Sequence, residues 1–357
     1  MSLIDRLVKA STVKLTAPLL ESKVFGKKEM IATSVPMVNV ALSGQVDGGL
    51  LPGLLVLAGP SKHFKSAFAL LMAAAYQKKY DDAVILFYDS EFGTPQAYFE
   101  SFGIDMSRVV HTPLTNVEEL KFDIVQQLEA IEKKDHVMIV LDSIGNLASK
   151  KEVEDAEAGK SVADMSRAKQ IKSLFRIVTP HLNLKDIPMV VVNHVYMEQG
   201  LYPKAIVSGG TGIYLSADNI WVLGRQQEKE GTEIKGYHFV INIEKSRHVR
   251  EKSKIPITVM FDGGISKWSG LMDVAEEGGF LRKPKVGWYE AVNPDTGEVL
   301  SEKLLRAKEI ADNGEFWKNM FDKTNFAGYI KEKYTVAHGD IMGGDKTVIE
   351  TYDDEDE

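Results

Sequence analysis

The sequence predicts an α/β fold: a mainly parallel central sheet, extended at one side by antiparallel strands, with helices on both faces. Three observations predict it. Apolar runs of strand length recur at Leu54–Ala58, Ala83–Tyr88, Val137–Leu141, Pro188–Val192 and Asn219–Leu223, as expected of strands buried on both sides. Helical segments near 95–102, 116–133 and 166–180 lie between them, the order that builds a parallel sheet with both faces covered. Later, Tyr237–Ile243 and Ile255–Phe261 read as antiparallel strands extending that sheet.

In chain order, residues 1–35 form an appendage. Leu3, Ile4, Leu7 and Val8 give a short amphipathic helix, too small to be stable alone. Its stripe must be covered, by its own core as the default or by a neighbouring copy as the alternative. Gly44, Gly48, Gly49, Pro52 and Gly53 make the turns into the first central strand. The α/β core is placed at 36–267 and a small α+β, mainly helical region at 268–345. That region carries helices at Leu304–Ala311, Glu315–Phe321 and Phe326–Lys333 and a hairpin near Asn293–Gly297. An acidic tail, 346–357, ends in Asp353-Asp354-Glu355-Asp356-Glu357, a solvated run.

Composition narrows the function. Apolar content of 44% with 26% charged residues, over 357 residues, supplies an ample core. The chain has no cysteine, which excludes disulfides and Cys-based metal sites and fits a reducing cytosol. The start shows no signal peptide, and no uncharged apolar stretch approaches the ~18 residues of a membrane span. A cytoplasmic protein is expected, in the host cytoplasm if phage-encoded. The net charge of −8 argues against a freestanding nucleic-acid binder, since such domains are usually basic.

The loop after Leu54–Ala58 carries the chemistry. Gly59, Pro60, Ser61, Lys62, His63, Phe64, Lys65 and Ser66 stand between that run and the helix-forming run Ala67–Tyr76. Strand, turn and helix are the setting of a phosphate-binding loop, G-x-x-x-x-G-K-[ST]. Backbone N–H groups at the helix start face the phosphates, and the helix dipole adds roughly half a positive charge. Lys65 then reaches the β- and γ-phosphates of ATP, and the Ser66 hydroxyl binds Mg²⁺. Phe64 stands where the pattern has glycine. It is compatible with the loop if its φ/ψ are helical and its ring points away from the nucleotide. On this octet alone, an ordinary βα turn with a chance Lys-Ser competes.

Three strands end in polar residues that complete the site. Val137–Leu141 runs into Asp142, a carboxylate suited to Mg²⁺ beside a phosphate loop. The run 83–88 leads to Glu91, which faces the nucleotide if its strand neighbours the loop strand and can activate the attacking water. The run 188–192 ends in Asn193-His194, placing a γ-phosphate sensor on the same rim. Singly, each is as well explained by a helix cap or a structural strand end. Together they predict an ATP site.

The ordered motifs GPSKHFKS, YDSE, VLDS, VVNH, SGGTG and EKSR resemble the RecA-type recombinases. They most resemble the UvsX recombinases of T-even-like phages, whose phosphate loop has the same Phe in place of Gly. The resemblance covers residues 1 to about 335, including DGGLLPGLLVLAGPSK, LFYDSEFG, DSIGNLASKKE and SLFRIVTP. It implies a RecA-like P-loop ATPase core in which Lys65, Ser66 and Asp142 bind Mg²⁺–ATP and Glu91 is the catalytic glutamate. Tyr98 matches the tyrosine that stacks on adenine. His194 stands where bacterial RecA has glutamine; imidazole titrates near ~6.5 and an amide does not, so ATP–DNA coupling is expected to depend on pH. Lys245 and Arg247 match basic residues that cross to the γ-phosphate of the neighbouring subunit. Without the resemblance, a solvated basic turn interleaved with Glu244 and Glu251 explains them.

Two segments, about 148–165 and 195–210, look like mobile loops. Tyr196, Met197, Lys204, Gly209 and Gly210 suit a single strand, because bases can stack or be wedged while N–H groups and Lys take phosphate. Ordinary surface loops are the alternative. In RecA-type proteins the corresponding loops line the filament axis; Arg167 matches a DNA-contacting arginine and Gly209-Gly210 match backbone donors. Tyr196 departs from a basic residue of bacterial RecA. The resemblance implies a DNA-dependent ATPase that forms helical filaments on single-stranded DNA and pairs it with duplex in phage recombination, repair and replication. It also implies a recombination mediator and a single-stranded-DNA-binding protein as partners, and no membrane. The rivals are a ring-shaped translocase on the same core and a nucleotide-controlled binding module without turnover.

Overall fold

The computed structural model describes residues 1–22, 24, 26–159, 166–197, 205–230 and 233–336. Its main sheet has nine strands. Five of them follow from the apolar runs, β1 (Gly53–Ala58), β2 (Val84–Asp89), β4 (Val137–Asp142), β5 (Pro188–Asn193) and β8 (Asn219–Glu230); β3 (Val109–Pro113) lies between β2 and β4 in the chain, and the short hairpin β6 (Val195–Met197) and β7 (Ala205–Val207) precedes β8. Then come β9 (Glu233–Ser246), β10 (Lys254–Met260) and β11 (Gly264–Ile265), with a separate hairpin β12 (Leu281–Lys285) and β13 (Trp288–Ala291). The order is β11-β10-β9-β8-β1-β5-β4-β2-β3. β1 runs parallel to both β5 and β8, and β9, β10 and β11 extend the sheet antiparallel, as expected.

The strand β3 was not anticipated. Its sequence VVHTP is mostly exposed at the sheet edge, so it lacks the continuous apolar signal of its neighbours. β8 and β9 run further than their apolar cores. The added stretch Arg225–Glu230 is polar, yet it is laddered against Glu233–Phe239, so cross-strand pairing rather than hydrophobicity carries it.

The helices are α1 (Leu3–Ala10), α2 (Pro36–Ser43), α3 (Lys65–Lys79), α4 (Gln96–Ser101), α5 (Val117–Ala130), α6 (Lys150–Glu157), α7 (Ser166–Lys185), α8 (Thr211–Ser216), α9 (Leu271–Glu277), α10 (Ala307–Ala311), α11 (Gly314–Lys323) and α12 (Phe326–Tyr334). Alternate residues of β1 feed opposite faces. Leu55 and Leu57 join the core under α2, α3 and α9–α12, while Leu54, Val56 and Ala58 join the core under α5, α7 and α8. Both faces are thus covered, which is why these strands are apolar throughout. α7 continues past Pro180 to Lys185, beyond the expected end, because Val178 and Leu182 keep its buried stripe in register.

One expectation of packing is corrected. α1 does not fold onto its own core: none of its residues is buried, and Leu3, Ile4 and Leu7 are 61%, 58% and 62% exposed. Its capping box, with the Ser2 hydroxyl accepting from the Asp5 N–H and the Asp5 carboxylate accepting from the Ser2 N–H, makes it a helix without packing it. The hairpin expected near 293–297 is present as a short one: Val292 and Val299 form an antiparallel bridge, Asn293 N–H donates to Glu298 O and Leu300 N–H to Ala291 O (both 2.8 Å), and Gly297 N–H closes the turn on Asn293 O (2.8 Å). The laddered hairpin is β12–β13, which turns at Gly287 with φ 73°.

Candidate functional site

β1 delivers the chain into the loop at Gly59, where an added Cβ would lie 3.1 Å from Leu223 O. Within the loop, Lys62 and Phe64 both take positive φ, 60° and 62°. Phe64 therefore does not meet the condition of helical φ/ψ set for it; it holds the left-handed conformation (ψ 18°), which glycine adopts without strain. A left-handed side chain costs roughly 1–2 kcal/mol. The ring offsets that cost by pointing into the core, as expected: it stacks on Phe239 at 5.0 Å and meets Phe68 edge-on at 5.5 Å. Phe64→Gly should relieve the strain yet lose ring packing of about 3 kcal/mol, a net loss of about 1–2 kcal/mol. Thermal denaturation checks the sign, and a rise in Tm would show that strain outweighs packing.

Lys65 opens α3 and is only 7% exposed. Its Nζ donates to Pro60 O at 2.8 Å. Burial pushes its pKa below the usual lysine value, while the charges of Glu91 and Asp142 pull it back up. The Ser66 side chain lies close enough to Asp142 to lower its pKa. Asp142, at the end of β4, is 3% exposed. Among the described residues its Oδ1 has no hydrogen-bond partner. Burial pushes its pKa up to about 6, helped by Glu91 and Asp89 and opposed by Ser66 and Lys65.

A buried carboxylate oxygen without a partner, beside a hydroxyl, fits Mg²⁺. No group of three or more His, Cys, Asp or Glu among the described residues could hold a metal on its own, so the ion's other ligands would be phosphate and water, as Mg²⁺ prefers. Because the folded pKa of Asp142 is raised, its contribution to stability is largest below the ordinary value of 3.8 and is lost as pH rises through about 6. At neutral pH the ionised form costs on the order of 2–3 kcal/mol. Asp142→Asn should therefore raise the Tm of the nucleotide-free protein at pH ~7, gain less at pH ~5, and weaken Mg²⁺–nucleotide binding at both. Calorimetry with and without Mg²⁺–nucleotide reads all three.

Glu91 reaches the site by another route than expected. β5 and β4 lie between β1 and β2, so its strand is not the neighbour of the loop strand. Instead the turn after β2 is folded back: Asp89 Oδ1 accepts from the N–H groups of Glu91 (3.0 Å) and Phe92 (2.8 Å). Ser90 Oγ donates to Ser143 O at 2.6 Å and accepts from Ser143 N–H at 3.0 Å, tying that turn to the cis Asp142–Ser143 peptide. Glu91 Oε1 then accepts from Ser143 Oγ (2.6 Å) and Asn146 Nδ2 (3.1 Å) and contacts His194 Nε2 (2.9 Å). Ser143 and Asn146 carried no signal of their own in the sequence.

His194 follows the fully buried Asn193, whose Oδ1 accepts from His194 N–H (2.8 Å) and whose Nδ2 donates to Ser208 O (2.7 Å). Gly145 makes room for the imidazole, since a Cβ there would lie 2.4 Å from His194 Cδ2. Tyr98, on α4, is close enough to Asp142 to feel its charge, and burial raises its pKa.

The nucleic-acid candidates are placed as follows. The first expected loop contains the helix α6, capped by the Ser149 hydroxyl accepting from Glu152 N–H at 3.0 Å. Arg167, at the start of α7, donates to Leu147 O (2.6 Å), Ile144 O (2.9 Å) and Gly145 O (2.9 Å), so its guanidinium clamps the turn that carries Gly145 and Asn146. The second contains β6 and β7, which pair Tyr196 with Ile206 and Met197 with Ala205. Tyr196 is 53% exposed. Gly209 and Gly210 take φ 95° and 73°, and Gly210 caps α8. Lys204 lies outside the described residues.

Lys245 and Arg247 are not brought to this rim. They lie at the end of β9, beside the start of β8 (Ile220 pairs Lys245, Asn219 pairs Ser246), and β8 enters beside Leu55. The phosphate loop leaves from the other end of β1, whose six residues span about 17–20 Å. Lys245 Nζ donates to Tyr214 O (2.8 Å) and Leu215 O (3.3 Å). Arg247 Nε donates to Asp218 Oδ1 at 2.6 Å, and its side chain is 68% exposed.

Comparison with known proteins agrees with this geometry. Residues 9–266 match the family described as "RecA N-terminal domain", and residues 268–330 match "Bacteriophage T4, Recombination and repair protein, C-terminal domain". The "Recombination and repair protein" of Enterobacteria phage T4 is 51% identical over 336 residues, 93% of this chain and 86% of that protein. "Protein RecA" of Prochlorococcus marinus (strain MIT 9215) is 25% identical over 315 residues, 87% of this chain and 80% of that one. The RecA of Streptomyces avermitilis is 26% identical over 314 residues, 87% and 78% of the two chains. A phosphate loop, the acidic rim around it and this breadth of similarity lead to one conclusion: the chain belongs to the RecA family of recombinases, on the UvsX branch represented by the phage T4 protein.

Proposed function

We propose that the chain is a DNA-dependent ATPase that polymerises as a helical filament on single-stranded DNA and catalyses homologous pairing and strand exchange. One observation carries this reading: Lys65, Asp142, Glu91 and His194 converge on the rim of the loop, with Glu91 within hydrogen-bond distance of His194. The loop N–H groups from Gly59 to Ser66 and Lys65 hold the triphosphate, and Tyr98 covers the adenine. Ser66 and Asp142 hold Mg²⁺, which supplies charge neutralisation on the phosphates. Glu91 orients a water and takes its proton as that oxygen bonds to the γ-phosphorus and the bond to the leaving phosphate breaks. His194 touches both that carboxylate and the strand leading to β6–β7, so it is suited to report γ-phosphate occupancy to Tyr196, Met197, Lys204, Gly209 and Gly210.

Arg167 supports that surface through the 144–147 turn, and contacts DNA only if it leaves those carbonyls. The uncovered stripe of α1 supplies a docking element for the next subunit, and a head-to-tail contact that does not close yields a filament. Lys245 and Arg247, remote from their own loop, reach the γ-phosphate of the neighbour. In this proposal residues 1–35 are the polymerisation appendage, 36–267 the ATPase core, 268–345 the C-terminal region and 346–357 a tail that competes with duplex for secondary sites. A mediator and a single-stranded-DNA-binding protein act with it in the host cytoplasm. Among the described residues no helix is long and apolar enough to cross a membrane.

The test combines two measurements. Electron microscopy with single-stranded DNA and a non-hydrolysable ATP analogue should show helical filaments; closed rings would overturn the assembly. Glu91→Gln should keep ATP-dependent DNA binding while phosphate release falls by about 10²–10⁴-fold, and unchanged release would remove Glu91 from the chemistry.

A further inference from the structure

Asp218 is a carboxylate that neither the phosphate loop nor the DNA-facing surface uses. It stands between α8 and β8, is 8% exposed, and divides its two oxygens between distinct partners. Oδ2 accepts from Leu54 N–H at the start of β1 (2.9 Å), and Oδ1 accepts from Arg247 Nε (2.6 Å). Gly53 allows this approach, because a Cβ there, at φ 113°, would lie 2.3 Å from Asp218 Oδ2. The carboxylate is thus anchored to the central strand, while the arginine it holds is largely in solvent.

Three physical consequences follow. A free arginine side chain carries about 2 kcal/mol of rotamer entropy, and a fixed partner at Nε removes much of it in advance. The bond to Asp218 uses Nε alone, so the edge formed by the two terminal nitrogens remains for a bidentate grip on a phosphate. The anion also separates two like charges: Arg247 pushes the Lys245 pKa down, after burial, while Asp218 pulls it up. Without the carboxylate, Lys245 near the end of β9 and Arg247 just past it would repel each other, with no anion between them to hold the arginine.

We infer that Asp218 is a positioning residue that presents Arg247, with Lys245 beside it, to the nucleotide of the adjacent subunit. The inference rests on the proposed action of these cations in trans. Asp218→Asn keeps an oxygen for Leu54 N–H and replaces the charged acceptor of Arg247 Nε with an amide NH2, which cannot accept that bond. It should leave Tm and the KM for ATP near the parent values and lower DNA-stimulated kcat by about tenfold, a loss of about 1.4 kcal/mol in barrier terms; Asp218→Glu should restore part of it. An unchanged kcat would overturn the inference.

Subunit mixing separates the two levels. A Lys65→Ala subunit cannot use ATP but still offers an intact Arg247 to its neighbour. Mixed with Asp218→Asn, it should raise phosphate release several-fold above the sum of the two alone. Arg247→Ala mixed with Lys65→Ala is the control. If the control is rescued and Asp218→Asn is not, Asp218 acts within its own subunit, through β1, and the inference fails while the trans arrangement stands. If the control is not rescued, the trans arrangement itself fails and takes the inference with it.

Discussion

Lys65→Ala is expected to abolish ATP turnover and, with it, tight binding to single-stranded DNA. The lysine is nearly buried and its ammonium rests on Pro60 O, so the cost of taking it out of water is met in the folded chain before nucleotide arrives. A triphosphate then meets a cation that is already desolvated and positioned, where charge–charge attraction is less screened than at an open surface. Removing one partner of such a contact costs about 2–5 kcal/mol, or roughly thirty- to several-thousand-fold in affinity. The fold should not suffer: burial disfavours the charge, and one hydrogen bond to a carbonyl contributes about 1 kcal/mol. Titration with a fluorescent ATP analogue, alongside a melting curve, distinguishes the outcomes. Undiminished affinity would remove Lys65 from the site; a collapsed Tm would make the loss uninformative about binding and shift the test to Lys65→Met, which keeps the stem.

Replacing both Lys245 and Arg247 by alanine should lower DNA-stimulated hydrolysis by about 10³–10⁵-fold, the range of a positive group supplied in trans to a phosphoryl transition state. Nucleotide affinity of the free subunit should stay the same, because the cations sit at the opposite end of β1 from the loop. That split is the diagnostic feature. A pair acting within its own subunit would change ATP binding and turnover together, and Lys65→Ala subunits would not restore the rate. Loss of the Lys245 bonds to the end of α8 should cost little stability, since both side chains are at least partly exposed. A rate within tenfold of the parent would return these residues to the role of a solvated basic turn.

Much of the site was legible as residue order. Apolar runs ending in Asp142, Glu91 and His194, after a loop carrying Lys65-Ser66, could be placed on one rim because parallel strands all end on the same side of a sheet. Phe64 was legible only in part. Its ring direction follows from its apolar nature, but its left-handed backbone is imposed by the turn into α3 and tolerated because Phe239, far along the chain, lies beneath the ring. Glu91 lies beside Ser143, Asn146 and His194 by a route the sequence did not show, since strand order is not written in any local pattern. Asp218, Gly145 and Asn146 gave no signal, as their roles are contacts with Arg247, His194 and Glu91 across long sequence separations.

Residue order alone gave a covered parallel sheet, a loop of phosphate-binding pattern followed by strands that end in carboxylates, and an amphipathic first helix. These depend on periodicity and on which residue follows which strand, and both are local. Only the tertiary structure decided that α1 stays uncovered, that Arg167 is engaged by carbonyls, and that Lys245 and Arg247 lie a strand's length from their own loop. Those outcomes depend on which surfaces meet once the sheet is assembled, and pairing across the fold is set by packing and strand order rather than by any one stretch of chain.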